Sequence, residues 1–322
     1  MRVWLSTFAR AGRTHEIAHA AEKAAFYGIT LTDSQILVAD PFVELAAAAD
    51  ATQDLRLGTC ATNLVSRHPT VTAAMAATLQ QLSGGRMVLG VARGDSALTK
   101  VGLHPLTVVQ FGTSLGQVRR LLRGESVEVD GHDVGLTWLD PQVSPTPVVG
   151  VASGPHAIEA VAHNADGLIL QVGSDPAAVA RGVQQARAVQ VSPGFTIAAY
   201  VIVGLQRPGE AVAIDGVTRV LARMADSALA GDESVQARAA HEAADTYSLA
   251  AHGLDRPDEP LGAVEDYAVL GDAPQCINHL RAIAASGCDE LVVILGSATT
   301  PTEELLDLVD AFGREVLPSL SG

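Results

Sequence analysis

Two turns in the sequence leave backbone N–H groups available to an anion. Gly94 and Ser96 come just before one segment with helical periodicity, and Gly154 comes just before another. Free N–H groups and the helix dipole at a helix N-terminus favour a bound phosphate, so a phosphorylated cofactor is one interpretation. The other is ordinary capping of the two helices by Ser96 and Ser153. The sequence leaves both open.

A zinc-hydrolase motif is also present. The run from His15 to His19 reads H-E-I-A-H and matches H-E-x-x-H, which on one helical face can bind zinc with the glutamate as general base. It falls in the first predicted helix, however, and an outer helix would not direct two imidazoles at a substrate. The turn at Ala152-Ser153-Gly154 does not match the G-x-S-x-G motif of hydrolases, and no G-K-[ST] motif is present. We therefore expect a solvated helix face here and no metal site.

The composition limits the classes of partner. The chain has 322 residues, of which 48% are hydrophobic, and 21 Lys+Arg against 36 Asp+Glu give a formal charge of −15. Such a charge argues against nucleic acid or an anionic membrane surface as partner. The cysteines at 60, 276 and 288 lack C-x-x-C spacing, so they predict no disulfide framework. The first residues lack signal-peptide features, and we expect a soluble cytoplasmic protein that acts on a small molecule.

Short runs of β-branched and aliphatic residues alternate along the chain with segments of helical period, which predicts a parallel sheet. Eight strands are predicted, at 3–8, 29–32, 55–60, 87–91, 148–152, 167–170, 196–203 and 291–295. Two amphipathic helices are predicted to cover the sheet, one with Val71, Met75, Leu79 and Leu82 on its apolar face and one with Leu305, Val309, Phe312 and Val316.

Eight strand-helix units in 322 residues favour an α/β fold of the (β/α)8 TIM-barrel type over an open sheet, since no G-x-G-x-x-G follows the first strand. Two insertions interrupt the alternation. One, at 123–144 after helix 4, includes Val127 and Val129 and predicts a small hairpin. The other, at 231–267, lies between strands 7 and 8. Each is either a lid over the site or a packed decoration. We expect a single domain over 1–322.

Several motifs in order resemble one enzyme superfamily. They are T-D-S-Q at 32–35, R-L-G-T-C-A-T-N at 56–63 with R-H-P at 67–69, L-S-G-G-R-M-V-L-G at 82–90, G-D-S-A at 94–97 and V-A-S-G-P at 151–155. Together they resemble the bacterial-luciferase-like superfamily, and more closely its coenzyme F420-dependent branch, the relatives of methylenetetrahydromethanopterin reductase. The resemblance implies a TIM barrel that binds F420. FMN-dependent monooxygenases share most of these motifs, so FMN is the alternative cofactor.

The resemblance also implies where the cofactor ring lies. A non-proline cis peptide behind the ring corresponds to Cys60 and Ala61, and Asp33 and Ser34 correspond to positions beside the ring. Several relatives carry Asp-His there, so Ser34 departs from the pattern. An imidazole can stabilise or protonate charge near the reacting centre, which a hydroxyl cannot do at neutral pH. Whether Ser34 or Gln35 takes over this catalytic role stays open.

Asp95 corresponds to a glutamate thought to donate a proton in an F420-dependent sugar-phosphate dehydrogenase, and to an aspartate of the methanopterin reductases. It is the candidate general acid, with capping of the next helix as the alternative. The resemblance implies cofactor-binding roles for further residues at the strand ends, with the last three presenting amides to phosphate: Asn63, Arg93, Gly94, Ser96, Ser153, Gly154 and Pro155.

The resemblance as a whole implies an F420-dependent oxidoreductase. Hydride would pass between the deazaflavin carbon C5 and an electrophilic carbon of a small organic substrate. The alternative is an FMN-dependent luciferase-like monooxygenase, and a third hypothesis, prompted by Ser34, is a non-catalytic flavin-binding barrel. By analogy with relatives we also expect a homodimer.

Overall fold

The computed structural model describes residues 1–94, 96–189, 192–207 and 267–320. The strands in these ranges are β1 (Arg2–Phe8), β2 (Gly28–Thr32), β3 (Arg56–Thr59), β4 (Thr62–Asn63), β5 (Met87–Ala92), β6 (Val127–Val129), β7 (His132–Val134), β8 (Val148–Ala152), β9 (Gly167–Leu170), β10 (Thr196–Leu205), β11 (Ala268–Gly271) and β12 (Glu290–Leu295).

The helices follow the strands around the outside. They are α1 (Thr14–Lys23), α2 (Pro41–Ala51), α3 (Pro69–Leu82), α4 (Ser96–Thr99), α5 (Val108–Leu121), α6 (Pro155–Asn164), α7 (Pro176–Ala188), α8 (Ala273–Ala284), α9 (Thr302–Glu315) and α10 (Leu317–Leu320). Local sequence sets several of their starts. Asp40 and Asp175 each accept hydrogen bonds from two backbone N–H groups of the following first turn, just before a proline.

Eight parallel strands close into a barrel in the order β1, β2, β3, β5, β8, β9, β10 and β12, and β12 pairs with β1 again. The predicted (β/α)8 TIM barrel is thereby confirmed. Side chains on the outer faces of the strands pack against the helices, as Leu5, Ile29 and Leu57 do. Those on the inner faces, such as Trp4 and Tyr200, fill the barrel.

All eight predicted strands are present, and their ends differ from the prediction by at most two residues. The predicted hairpin after the fourth strand of the barrel is also present, as the antiparallel pair β6 and β7. The prediction missed β11, which pairs with the last four residues of β10. Most of the insertion predicted at 231–267 lies outside the described residues.

The apolar face predicted for α3 was partly wrong. Val71 and Leu82 are 48% and 66% exposed, whereas Ala73, Ala76 and Leu79 are buried. The helix therefore carries apolar side chains on its exposed face as well as on its buried face. The small alanines of the buried face let the helix pack closely against the sheet. Hydrophobicity alone could not show which face does so. In α9 the prediction is confirmed, because Leu305, Val309 and Phe312 are buried.

None of the helices in the described ranges has the length and apolar character that a bilayer span requires.

One interruption of the barrel bears on the candidate site. Gly58 pairs with Val88 and Thr62 pairs with Val91, so the three residues at 59–61 lie opposite the two at 89–90. This is a β-bulge at the junction of β3 and β4. The Thr59 hydroxyl replaces the missing ladder bonds, because it donates to the Gly90 carbonyl at 2.8 Å and accepts from the Gly90 N–H at 3.0 Å.

This close approach predicts that Gly90→Ala is strongly destabilising. A Cβ at residue 90 would lie 1.9 Å from the Thr59 carbonyl oxygen, so the two strands would have to separate. We expect a loss of about 3 kcal/mol in the free energy of unfolding, measured by chemical denaturation. The control is Gly116→Ala in α5, where the nearest atom is the Asn164 side-chain oxygen at 3.1 Å. It should change stability by less than about 1 kcal/mol. Equal stabilities for the two variants would contradict the role of the bulge.

Candidate active site

The candidate site lies at the carboxyl ends of the barrel strands, where β/α barrels carry their chemistry. The peptide bond between Cys60 and Ala61, in the bulge at the end of β3, is cis, as the resemblance implies. Cys60 is 3% exposed and points into the barrel. Burial raises the pKa of its thiol to about 12, so the thiol stays protonated at neutral pH and does not act as a nucleophile.

Asp33 joins the ends of β2 and β4. Its carboxylate accepts a hydrogen bond from the Thr62 hydroxyl at 2.6 Å and forms an ion pair with Arg67, which also contacts Asp40 at 2.6 Å. Burial acts to lower the pKa of the Arg67 guanidinium, but the two carboxylates outweigh it and raise that pKa. Arg67 also lies over the ring of Phe42. Asp33 is therefore part of a charged network that fixes the loops around the bulge.

Ser34 is 3% exposed, and its hydroxyl has no hydrogen-bond partner among the described residues. Buried hydroxyls are nearly always hydrogen-bonded, so an unpaired one beside the bulge is suited to a polar edge of a ligand. Gln35 does not offer its amide nitrogen in the same way. That nitrogen donates to the Ala97 carbonyl at 2.9 Å and holds α4 against the end of β2.

The turn after β5 is built partly for its own stability. Arg93 donates from Nε to the Leu106 carbonyl at 2.6 Å. In the neighbouring loop after β4, Asn63 accepts from the N–H groups of Val65 and Ser66. Gly94 has φ of +92°, and a Cβ there would lie 2.2 Å from Leu98. This turn thus requires glycine, which also lets a ligand approach its backbone.

The helix after this turn is short. It spans only Ser96–Thr99, one turn, so the dipole at its N-terminus is small. Asp95, the predicted general acid, lies outside the described residues.

The turn after β8 matches the anion-site prediction better. Gly154 is the N-cap of the ten-residue helix α6, and no side chain caps that helix, so Ser153 does not perform the capping that the sequence left open. Pro155 has no N–H and cannot present an amide to phosphate, which corrects that part of the prediction. The Ala157 N–H already donates to the Gly154 carbonyl at 3.0 Å. The donors at this turn are therefore the N–H groups of Ser153, Gly154 and His156.

Three further residues at this end of the barrel were not predicted as site residues. In the sequence analysis Arg67 appeared only within a family motif. Its place four residues after Asn63, at the end of a predicted strand, could have marked it as a site residue. Tyr200 is buried in the barrel near Cys60, and burial raises its pKa. Arg10, after β1, has a buried Nε without a hydrogen-bond partner in the described ranges, and burial lowers its pKa. Only the tertiary structure brings Arg67 and Arg10 to the rim and places Tyr200, in the middle of β10, near Cys60.

The H-E-x-x-H run lies on α1, away from this site. Ile17 and Ala18 face the core, His19 is exposed, and Glu16 forms an ion pair with Arg13 at 2.7 Å. Across the part of the chain that the structure describes, no group of three or more His, Cys, Asp or Glu side chains is placed to hold a metal ion.

The site residues together fit a planar, phosphorylated ligand. The bulge at Cys60 and Ala61 offers a backbone surface, the Ser34 hydroxyl an unpaired polar atom, and the α6 N-terminus a set of amide donors. These three features come from the carboxyl ends of β2, β3 and β8 on one rim of the barrel, with β5 between β3 and β8.

Comparison with known proteins is consistent with this architecture. Two curated relatives are 5,10-methylenetetrahydromethanopterin reductases. The one from Methanolobus tindarius is 30% identical over 48% of this chain and 49% of the relative. The one from Methanopyrus kandleri is 26% identical over 85% of each.

Solved structures share the fold over the whole chain. A coenzyme F420-dependent tetrahydromethanopterin reductase from Methanopyrus kandleri superposes with a TM-score of 0.73 at 20% identity, covering 98% of each chain. The monooxygenase RslO1 from Streptomyces bottropensis has a TM-score of 0.69 at 20% identity and covers 100% of each chain. The sequence model of the luciferase-like monooxygenase family matches residues 2–290. The chain therefore belongs to the luciferase-like monooxygenase family.

Proposed function

We propose that this protein is a coenzyme F420-dependent oxidoreductase that transfers a hydride between the deazaflavin carbon C5 and an electrophilic carbon of a small organic substrate. The observation that carries the proposal is that the β3–β4 bulge, the unpaired Ser34 hydroxyl and the α6 N-terminus, which no side chain caps, lie on one rim of the barrel. The two curated reductases support the F420 choice, as does the fold shared with an F420-dependent secondary alcohol dehydrogenase.

Different residues would bind the ring, the ring edge and the phosphate of the cofactor. The bulge at Cys60 and Ala61 backs the ring, and the Asp33–Arg67 network holds that bulge in place through Thr62. The Ser34 hydroxyl donates to or accepts from the ring edge. The N–H groups of Ser153 and Gly154 bind the phosphate, which must be held locally because the chain carries a charge of −15.

When bound, the deazaflavin supplies a two-electron hydride donor or acceptor. The protein's part in the chemistry is to orient the reacting carbon and to move one proton. Since the Asp33 carboxylate is tied to Arg67 and the Cys60 thiol stays neutral, neither is suited to proton transfer. The Asp95 carboxyl is the proposed proton donor or acceptor.

The second candidate is an FMN-dependent monooxygenase. RslO1 superposes on this chain as well as the F420-dependent alcohol dehydrogenase does, with a TM-score of 0.69 for both. The turn before α6 can bind the phosphate of either cofactor, and the bulge can lie against either ring. The identity of the cofactor must therefore be tested directly.

Titration of the purified apoprotein with F420 and with FMN separates the two candidates. We expect F420 to bind at least about tenfold more tightly than FMN, which corresponds to about 1.4 kcal/mol. Isothermal titration calorimetry measures both affinities. Tight FMN binding without F420 binding would overturn the proposal in favour of the monooxygenase, and binding of neither would favour a non-catalytic barrel.

Gly154→Asp should weaken cofactor binding about tenfold or more, because it places a carboxylate at the N-cap where the phosphate is proposed to bind. Gly135→Asp is the matched control, since it adds the same charge at an exposed residue just after β7 whose φ is not positive. It should leave the affinity unchanged. The same titrations decide the matter, and equal affinities for the two variants would remove the α6 turn from the site.

Asp95→Asn should preserve cofactor affinity and slow turnover about 100-fold, since the amide keeps the shape of the carboxyl but cannot transfer its proton. Steady-state rates are measured with whichever secondary alcohol or ketone the wild-type protein turns over. Asp50→Asn on the exposed face of α2 is the control and should keep full activity. Full activity in Asp95→Asn would leave Asp95 with the alternative role of a helix cap.

A further inference from the structure

A cavity opens at the opposite end of the barrel from the candidate active site. Its volume is about 610 Å³, within the range of small-molecule sites. It is lined by residues at the amino-terminal ends of the strands, including Arg2, Arg56 and Glu290, and by the loops at 145–147 and 192–195. In β/α barrels this end normally serves stability rather than chemistry, so an open cavity there needs a physical explanation.

The cavity exists because several inward-facing positions in the lower layer of the barrel carry small side chains or none. Thr30, Val88 and Ala198 line it, and Gly58, the register partner of Thr30, contributes no side chain at all. β/α barrels usually fill this space with bulky branched residues. The inner wall is otherwise apolar, with Val149 and other aliphatic and aromatic side chains: Trp4, Ile169 and Val292.

Two buried hydroxyls in the cavity lining have no partner. Thr30 and Thr146 are each 4% exposed, and neither hydroxyl oxygen has a hydrogen-bond partner among the described residues. Thr146 lies just before β8 at the mouth, and Thr30 lies in the middle of β2. Because buried polar atoms are almost always satisfied, two lining residues with unpaired hydroxyls favour a ligand with polar groups.

The charges at the mouth favour an anion. Arg2 binds Glu290 at 2.7 Å and Arg123 binds Asp166 at 2.7 Å, so these four charges pair with each other. Arg56 lies 5.6 Å from the centre of the Tyr27 ring, and within the described ranges it forms no ion pair. The cavity lining thus holds three guanidinium groups and two carboxylates, an excess of one positive charge on a chain of charge −15.

We infer that this cavity is a second ligand site, separate from the cofactor site, that binds a small apolar molecule carrying one carboxylate. The carboxylate pairs with Arg56 and accepts a hydrogen bond from the Thr146 hydroxyl at the mouth. The apolar body lies between Val88, Val149 and Val292. The Thr30 hydroxyl meets a polar substituent on the deeper part of the natural ligand.

The test uses octanoate as the carboxylate probe and octan-1-ol as its uncharged counterpart. Trp4 lines the cavity, so binding is followed by its fluorescence in a Trp138→Phe background, which removes the other tryptophan. We expect octanoate to bind and Arg56→Met to weaken that binding at least about tenfold. Octan-1-ol binding should change less than about twofold.

Two controls locate the binding. Arg120→Met removes an exposed guanidinium that pairs with Glu125 away from the cavity, and it should leave octanoate affinity unchanged. Gly154→Asp at the other end of the barrel should also leave it unchanged. If Gly154→Asp weakens octanoate binding as much as Arg56→Met does, the probe binds at the candidate active site and the inference fails.

A third variant tests the cavity itself. Ala198→Leu fills the lower layer and should abolish binding of both probes, and Val149→Phe serves the same purpose if Ala198→Leu does not fold. Absence of octanoate binding to the wild-type protein would overturn the inference. The inference would also be overturned if Arg56→Met and the cavity-filling variant each bound octanoate with the affinity of the wild-type protein.

Discussion

The candidate site depends on the contact between β3 and β5, where Thr59 and Gly90 exchange hydrogen bonds through the Thr59 hydroxyl. A closed barrel cannot lose the hydrogen bonds between two strands without opening, yet the site requires a backbone segment that does not pair with the neighbouring strand. The bulge meets both requirements. One extra residue on the β3 side directs Cys60 and Ala61 to the rim, while the threonine hydroxyl keeps the two strands together. Only a glycine at residue 90 allows the strands to come this close.

The polar network around the bulge follows from this constraint. A backbone segment that has left the ladder needs other contacts to fix it, and Asp33 provides them through Thr62 and Arg67. Arg67 in turn binds Asp40, the cap of α2, so the start of a helix is tied to the end of β2. The carboxylate of Asp33 therefore acts mainly as a structural anchor beside the proposed ring. The hydroxyl of the next residue, Ser34, is buried and has no hydrogen-bond partner among the described residues.

The two ends of the barrel use the same strands differently. At the carboxyl ends, polar turns and a helix N-terminus provide hydrogen-bond donors. At the amino ends, small side chains such as Ala198 leave an apolar cavity with Arg56 at its mouth. Every second residue of a strand faces the barrel interior along the whole length of the strand. The same strands therefore line the cavity at their amino ends and lead into the polar turns at their carboxyl ends. Trp4, Cys60 and Tyr200 belong to one cluster of buried side chains in the interior.

The sequence by itself determined the barrel and the strand ends, because the alternation of strands and helices is local and a proline or aspartate marks several helix starts. It also identified the positions of the cis bond and of the α6 turn through the family resemblance. It missed β11 and the buried face of α3, since both depend on which neighbours cover a surface. Only the tertiary structure decided that Asp33 pairs with Arg67, that Ser34 is unpaired and that a cavity opens beside Arg56. Each of these results from contacts between residues far apart in the chain, whose geometry no local pattern encodes.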